Sequence, residues 1–166
     1  METLDHHSFM GMALEEARAA YLAQEVPVGA VLVDARGVVL ARAYNSPISR
    51  CDPTAHAEIL VLREAAKALQ NYRLPSTICY STLEPCPMCL GAMLYARVGM
   101  LVYGADDARA GAAGTVVDLS AEPHFNHRLE VIAGVRAEEC VQLLRSFFRE
   151  RRAHRSIGSG EVPKWP

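Results

Sequence analysis

The sequence predicts an α/β protein in which a mixed sheet lies between two layers of helices. Segments with helical periodicity alternate with short strand-like segments along most of the chain. The first two predicted strands instead follow each other directly as a hairpin, which adds antiparallel pairing to this pattern. A three-layer α/β/α sandwich around a mixed five-stranded sheet accommodates both observations.

Each predicted element has a local signal. Apolar residues at helical spacing predict a first helix over 8–23. Strands over 28–33 and 38–43 are joined by a turn that ends at Gly37. Asp52 and Pro53 suit the N-cap and first position of a helix that runs to about Leu69. The remaining elements are a strand over 77–82, a helix from Pro85 to before Gly99, a strand over 100–103, a short helix near 116–119, a strand over 129–133 and a final helix over 137–152.

Length and composition predict one soluble domain. The chain has 166 residues, of which 51% are hydrophobic, and we expect a single domain over 1–155 followed by a flexible tail over 156–166. The net charge of −2 gives no general reason to propose nucleic-acid binding, so any such contact must be local. No apolar run is long enough to span a bilayer, and the start of the chain lacks a signal-peptide pattern. With an odd count of five cysteines, this predicts a cytoplasmic protein without structural disulfides.

The strongest chemical signal is a set of three metal ligands accompanied by a carboxylate. His56 and Glu58 stand two apart, and Cys86 and Cys89 follow about thirty residues later. One imidazole and two thiolates leave the fourth position of a tetrahedral zinc ion open for water, whereas structural zinc sites usually have four protein ligands. Cys51 and Cys79 are the candidates for a fourth ligand, but neither has a neighbouring Cys or His at ligand spacing. The pattern therefore favours one catalytic zinc per chain over a structural one.

The spacing also predicts where this zinc ion lies. Cys86 and Cys89 fall in the first turn of their helix, where the positive end of the helix dipole favours thiolates. On the flank of a helix His56 and Glu58 would point roughly 200° apart, so they can converge only over its N-terminal end. We therefore expect the metal to lie over two helix N-termini. Glu58 is then placed beside the metal-bound water and suits a proton shuttle.

Four runs carry a resemblance to a known family: EVPVGA at 25–30, DPTAHAE at 52–58, LEPCPMC at 83–89 and GAAG at 111–114. They closely resemble the bacterial tRNA-specific adenosine deaminases, and the likeness extends from the first helix to about Arg152. The resemblance implies a homodimer with the cytidine-deaminase-like fold that acts on the anticodon stem-loop of a tRNA. It further implies zinc-dependent hydrolytic deamination of the wobble adenosine to inosine with release of ammonia, with Glu58 moving the proton.

The resemblance also implies binding residues around the metal. Val28 and Asn45 match positions that line the adenine pocket, with the backbone of Ala57 nearby. Asp107 and Arg109 match a loop that lies against the anticodon backbone. Without the resemblance, Asn45 is more simply an amide that stabilises a turn, and the 107–109 segment a solvated loop.

The end of the final helix interleaves aromatic and basic residues. Such residues can stack on unpaired bases and hold phosphates in single-stranded RNA. The alternative is the packed face of an amphipathic helix, which we favour for Phe147. Phe148, Arg149 and Arg152 stay candidates for RNA contact.

Two other functions are compatible with the zinc motif. A free nucleobase or nucleotide deaminase, acting on guanine, cytidine or deoxycytidylate, would use the same ligands. A zinc-bearing RNA-binding module without activity would not require Glu58. The flanking runs and the basic final helix favour the tRNA enzyme over both.

Overall fold

The computed structural model describes residues 4–157. Its elements in chain order are α1 (His6–Leu22), β1 (Gly29–Val33), β2 (Val39–Tyr44), α2 (Pro47–Arg50), α3 (Ala57–Leu69), β3 (Ile78–Leu83), α4 (Pro87–Ala96), β4 (Met100–Ala105), β5 (Glu130–Ile132) and α5 (Ala137–Ile157). The predicted strands all occur within about two residues of their expected bounds. The four-residue helix α2 was not predicted. No helix within residues 4–157 has the length and hydropathy needed to cross a bilayer.

The five strands form one mixed sheet in the order β2-β1-β3-β4-β5. β1 pairs antiparallel with both β2 and β3, whereas the β3–β4 and β4–β5 pairs are parallel. The hairpin accounts for the antiparallel β1–β2 pair, and the crossover through α4 accounts for the parallel β3–β4 pair. The parallel β4–β5 pair is joined by the long segment 106–129, which contains no helix. The predicted mixed five-stranded sheet is confirmed.

Helices cover both faces of this sheet. The side chains of β1 alternate between two hydrophobic clusters, as a strand buried on both faces requires. Val31 and Val33 belong to the cluster under α1 and α5, while Ala30 and Leu32 belong to the cluster under α3 and α4. The three-layer α/β/α sandwich predicted from the sequence is confirmed.

The helix α3 begins at Ala57, four residues later than predicted. His56 is its N-cap in extended conformation, and Asp52 does not cap the helix. Asp52 Oδ1 instead accepts a hydrogen bond from the backbone N–H of Thr54 at 2.8 Å, which forms a local turn around Pro53. Asp-Pro is as typical of such turns as of helix starts, and the turn prevails here.

The helix α4 also begins later than predicted, with Pro87 rather than Pro85 at its first turn. Cys86 is the N-cap and is extended, with a ψ of 170°. A residue that precedes a proline avoids the helical region, so Cys86 stays extended ahead of Pro87. The carbonyl oxygen of Pro85 accepts a hydrogen bond from the backbone N–H of Ala112 at 2.9 Å.

Two expectations for the C-terminal half differ from the structure. The segment near 116–119 is not helical, because Gly114 has a φ of +131° and Ala113 pairs with Asp118 in an isolated β-bridge. α5 continues to Ile157, five residues beyond the predicted end, since no glycine or proline interrupts it before Gly158. The first two residues of the predicted flexible tail therefore belong to α5, and the rest of that tail lies outside the described residues.

Candidate active site

Three ligand atoms from two helix ends form a compact cluster. His56 Nδ1 lies 3.7 Å from Cys86 Sγ and 3.5 Å from Cys89 Sγ, and the two sulfur atoms are 3.7 Å apart. Zinc bonds of about 2.3 Å to sulfur and about 2.0–2.1 Å to nitrogen at tetrahedral angles require separations of about 3.8 Å between sulfurs and about 3.6 Å between nitrogen and sulfur. The donor set and its spacing therefore fit a tetrahedral metal ion.

The cluster lies over the N-terminal ends of α3 and α4, as predicted. His56 and Cys86 are the N-caps of these helices, and Cys89 is in the first turn of α4. Since His56 stands outside the helix, the 200° divergence that a helix flank would impose does not arise. The positive ends of both helix dipoles point toward the ligands and stabilise negative charge on the thiols.

The acid–base properties of the ligands reflect their mutual contacts. The hydrogen bond with Cys89 lowers the pKa of Cys86 to about 4, and the neighbouring His56 ring adds to this effect. The same hydrogen bond, with burial, raises the pKa of Cys89. The hydrogen bond with Cys86 raises the pKa of His56. These contacts favour the thiolate form of Cys86, which is the form that binds a metal ion.

The two candidate fourth ligands lie apart from this cluster. Cys51 is exposed at the C-terminal end of α2, and Cys79 is fully buried in β3. Neither belongs to the group of donor atoms that lie within 4.8 Å of one another. These two cysteines therefore do not supply a fourth ligand, as a structural zinc site would need.

Glu58 lies beside the ligand cluster and is almost completely buried, with 3% of its surface exposed. Its Oε2 is 3.7 Å from Cys89 Sγ, and its Oε1 is 3.1 Å from the hydroxyl of Ser81. Burial raises the pKa of the Glu58 carboxyl. Ser81, whose hydroxyl is also 2.8 Å from the carbonyl oxygen of Leu83, is a contact that the sequence analysis missed. A lone serine inside a buried strand carries no spacing signal.

A pocket of about 210 Å³ opens beside these residues. Its lining includes two of the predicted substrate-binding residues, Val28 and Asn45, together with His56, Glu58 and Asp107. Ala57 is fully buried at the first position of α3 and is not part of the lining. Because binding sites for drug-sized ligands are usually about 300–1,000 Å³, a pocket of this size is suited to a small group such as one base.

A larger groove of about 1050 Å³ adjoins the pocket. Val26, Leu83 and Asp107 line both, so the two are continuous. The groove brings together the loop after β4 and one side of α5, and thus all the predicted RNA-binding residues. Its charged and aromatic lining residues are Asp106, Asp107, Arg109, Arg145, Phe148, Arg149 and Arg152. The groove is therefore locally basic although the whole chain has a net charge of −2.

The two adjacent phenylalanines of α5 have different environments. Phe147 is 2% exposed and meets Tyr21 of α1 edge-on, which confirms the prediction that it packs. Phe148 is 41% exposed and lines the groove. In the part of the chain that the structure describes, no ion pair engages the groove residues Arg149 and Arg152.

Two buried glutamates that the sequence analysis missed hold neighbouring segments in place, one at the start of α2 and the other in the loop after β4. Glu25 accepts hydrogen bonds from the backbone N–H groups of Ile48 at 3.3 Å and Ser49 at 2.7 Å. Glu84 accepts three such bonds from the segment 107–115. Burial opposes ionisation of Glu84, but the hydrogen bonds from Thr115 and from the backbone prevail and lower its pKa. The acceptors and donors are far apart in the sequence, so no local pattern predicts these contacts.

Comparison with known proteins assigns the family. The family model of the MafB19-like deaminases matches residues 4–152. The tRNA-specific adenosine deaminase of Haemophilus influenzae is 49% identical over 148 residues, which are 89% of this chain and 86% of that protein.

Solved structures give a consistent result. One from a study of A-to-I editing by tRNA:A34 deaminases at the wobble position of transfer RNA has a TM-score of 0.80 and 44% identity, covering 82% of this chain and 99% of that one. The guanine deaminase of Nitrosomonas europaea is more distant, with a TM-score of 0.73 and 27% identity over 85% of this chain and 83% of that one. The chain described here therefore belongs to the tRNA-specific adenosine deaminases, within the cytidine-deaminase-like superfamily.

Proposed function

We propose that this protein catalyses the zinc-dependent hydrolytic deamination of adenosine to inosine at the wobble position of a tRNA anticodon, with release of ammonia. The observation that carries this proposal is the triangle of His56, Cys86 and Cys89 donor atoms with the Glu58 carboxylate beside it. The relatives described above support adenosine in tRNA as the substrate.

The three donors are proposed to hold one zinc ion per chain. Imidazole and thiolate are the ligands that zinc prefers, and their separations match its bond lengths. A zinc ion bound there would activate a water molecule for attack on carbon 6 of the purine at neutral pH.

Glu58 is proposed to move the protons. Its carboxylate takes a proton from the attacking water and delivers it to the purine ring, and a second transfer protonates the leaving amine, which departs as ammonia. Burial suits this role, because a raised pKa brings the carboxyl closer to the pH at which it must both accept and donate. The Ser81 hydroxyl keeps one carboxylate oxygen in place.

The pocket and the groove are proposed to bind different parts of the substrate. We propose that Val28 and Asn45, which line the pocket, contact the flipped adenine, while the backbone of Ala57 lies buried between the pocket residues His56 and Glu58. Arg109, Phe148, Arg149 and Arg152 would hold the backbone and bases of the anticodon loop. Asp107 would contribute through the loop conformation, since its Oδ1 accepts the backbone N–H groups of Arg109 and Ala110.

We propose three further features. The family resemblance supports a homodimer, the odd count of five cysteines supports a cytoplasmic location, and the length of 166 residues supports one domain over 1–155. An anticodon loop presents unpaired bases, which lowers the energetic cost of extruding the target adenosine.

The test is a comparison of substrates with the zinc-loaded protein. An RNA hairpin with adenosine at the wobble position should be converted to inosine far faster than free adenosine, adenine, cytidine or guanine, because contacts in the groove orient the base. Elemental analysis of the same preparation should give one zinc per chain. Faster deamination of free guanine or cytidine than of the hairpin would replace the tRNA proposal with the small-molecule alternative.

A further inference from the structure

Glu84 is the anchor of the loop that follows β4, which contributes Asp107 to both the pocket and the groove. It is 1% exposed, and its carboxylate receives backbone N–H groups from both ends of that loop. Oε2 accepts from Asp107 at 3.0 Å, while Oε1 accepts from Ala113 at 3.0 Å and Thr115 at 3.1 Å. One side chain thus fixes the start and the end of the segment 107–115.

The close fit of this loop depends on a glycine. A Cβ atom on Gly111 would lie 2.2 Å from Glu84 Oε2 and 2.6 Å from the carbonyl oxygen of Asp107. Both distances are far below van der Waals contact, so the loop could not rest on the carboxylate with any other residue at this position. The hydrogen bonds between Glu84 and the loop therefore depend on a glycine at position 111.

Asp107 connects the Glu84 contact to the proposed RNA-binding groove. The backbone N–H of Asp107 is held by Glu84, and its side chain in turn accepts the backbone N–H of Arg109 at 2.9 Å. Asp107 lines both the pocket and the groove, and Arg109 lines the groove. A shift of Asp107 would consequently move one wall of each.

We propose that Glu84 is a positioning residue for substrate binding: by holding the 107–115 loop it sets the affinity of the groove for RNA. This inference rests on the proposed function, since it assigns the groove to RNA. A residue that merely stabilised the fold would lower the melting temperature and the amount of active enzyme without changing the Michaelis constant of the remaining molecules. Comparing the effect of a Glu84 variant on KM with its effect on the rate at saturating substrate therefore distinguishes a positioning role from a purely structural one.

The test variant is Glu84→Gln, which keeps the size of the side chain. If the carbonyl oxygen of the new glutamine takes the Oε1 position, it still accepts the backbone N–H groups of Ala113 and Thr115. Its NH₂ group then faces the N–H of Asp107 and cannot accept a hydrogen bond from it. We expect KM for the wobble hairpin to rise about tenfold, because the half-buried N–H of Asp107 loses its acceptor. The single-turnover rate at saturating hairpin should change less than about threefold, and zinc content should stay at one per chain.

A second variant reaches the same contact from the loop. Gly111→Ala should raise KM by a similar factor, because the new Cβ displaces the loop from an unchanged carboxylate. The double variant Glu84→Gln with Gly111→Ala should be little worse than either single variant, since both remove the same interaction. Asp118→Asn is the matched control: this exposed carboxylate accepts the backbone N–H of Ser120 just beyond the 107–115 loop, and its change should leave KM unaltered.

The outcomes are separable from those of the proposed function. If the unmodified protein does not deaminate the hairpin, the proposed function fails first. If it does, and Glu84→Gln and Gly111→Ala leave KM unchanged, the positioning role is refuted. Loss of zinc in Glu84→Gln, or fully additive effects in the double variant, would also overturn it.

Discussion

Replacing Glu58 by glutamine removes the proposed proton shuttle while preserving the shape of the site. Among residues 4–157, the other carboxylates that line the pocket are Glu84 and Asp107, and both are engaged with backbone N–H groups, so neither is free to take over the shuttle. The rate should therefore fall toward the upper end of the about 100- to 10,000-fold range for loss of a general acid–base. That range corresponds to about 2.7–5.5 kcal/mol in activation free energy.

The same change should affect stability in a direction that depends on pH. Burial raises the pKa of Glu58, so the folded metal-free protein disfavours the charged carboxylate that the unfolded chain carries readily above pH 4.5. The contribution of this group to stability is then fully present below that pH and is lost as the pH rises. Metal-free Glu58→Gln should consequently melt higher than the unmodified metal-free protein at pH 8, with a difference that shrinks toward pH 4.

The assay is single-turnover deamination of the wobble hairpin, combined with elemental analysis for zinc. Glu58→Gln should retain one zinc per chain, because Glu58 is not one of the three clustered donors. Glu64→Gln is the matched control, since this exposed glutamate lies on the same helix and should leave the rate unchanged. A single-turnover rate close to that of the unmodified protein would refute the shuttle role.

Two further expectations concern the metal and the RNA. Cys89→Ala should lose its zinc. In the unmodified protein zinc affinity should fall by at least about tenfold for each pH unit that the pH is lowered, because Cys89 and, at lower pH, His56 must release a proton to bind the metal. Alanine at Arg149 and Arg152 should weaken hairpin binding about tenfold in fluorescence anisotropy, whereas alanine at Arg36 and Arg73, outside the groove, should not. Retained zinc in the cysteine variant, or equal losses in both arginine pairs, would contradict these expectations.

The metal-binding cluster could be predicted because its chemistry is local. Cys86 and Cys89 are close in the sequence. His56 and Glu58 are two positions apart, a spacing at which their side chains can converge only over the end of a helix. The exact helix starts were wrong for a local reason as well. Two prolines compete for the first helical turn at 85 and 87, and the extended conformation that precedes Pro87 decides the choice.

The surroundings of the site could not be predicted from spacing, because they depend on contacts between distant segments. Ser81 meets Glu58 across 23 positions, and Glu84 meets Thr115 across 31. Single polar residues next to apolar runs look the same whether they are buried or solvated. Only the packing of β3 against α3 and the loop after β4 distinguishes these residues from ordinary surface groups.

The metal-ligand cluster and the groove are built from different parts of the fold. The ligand atoms and Glu58 lie at the ends of α3 and α4, which pack on one face of the sheet. The arginines of the groove come from the loop after β4 and from α5, which packs on the opposite face. These outer elements can change without disturbing the metal ligands, because none of the ligands belongs to them. Substrate class should therefore be determined by the loop at 106–115 and by α5 rather than by the ligand motif.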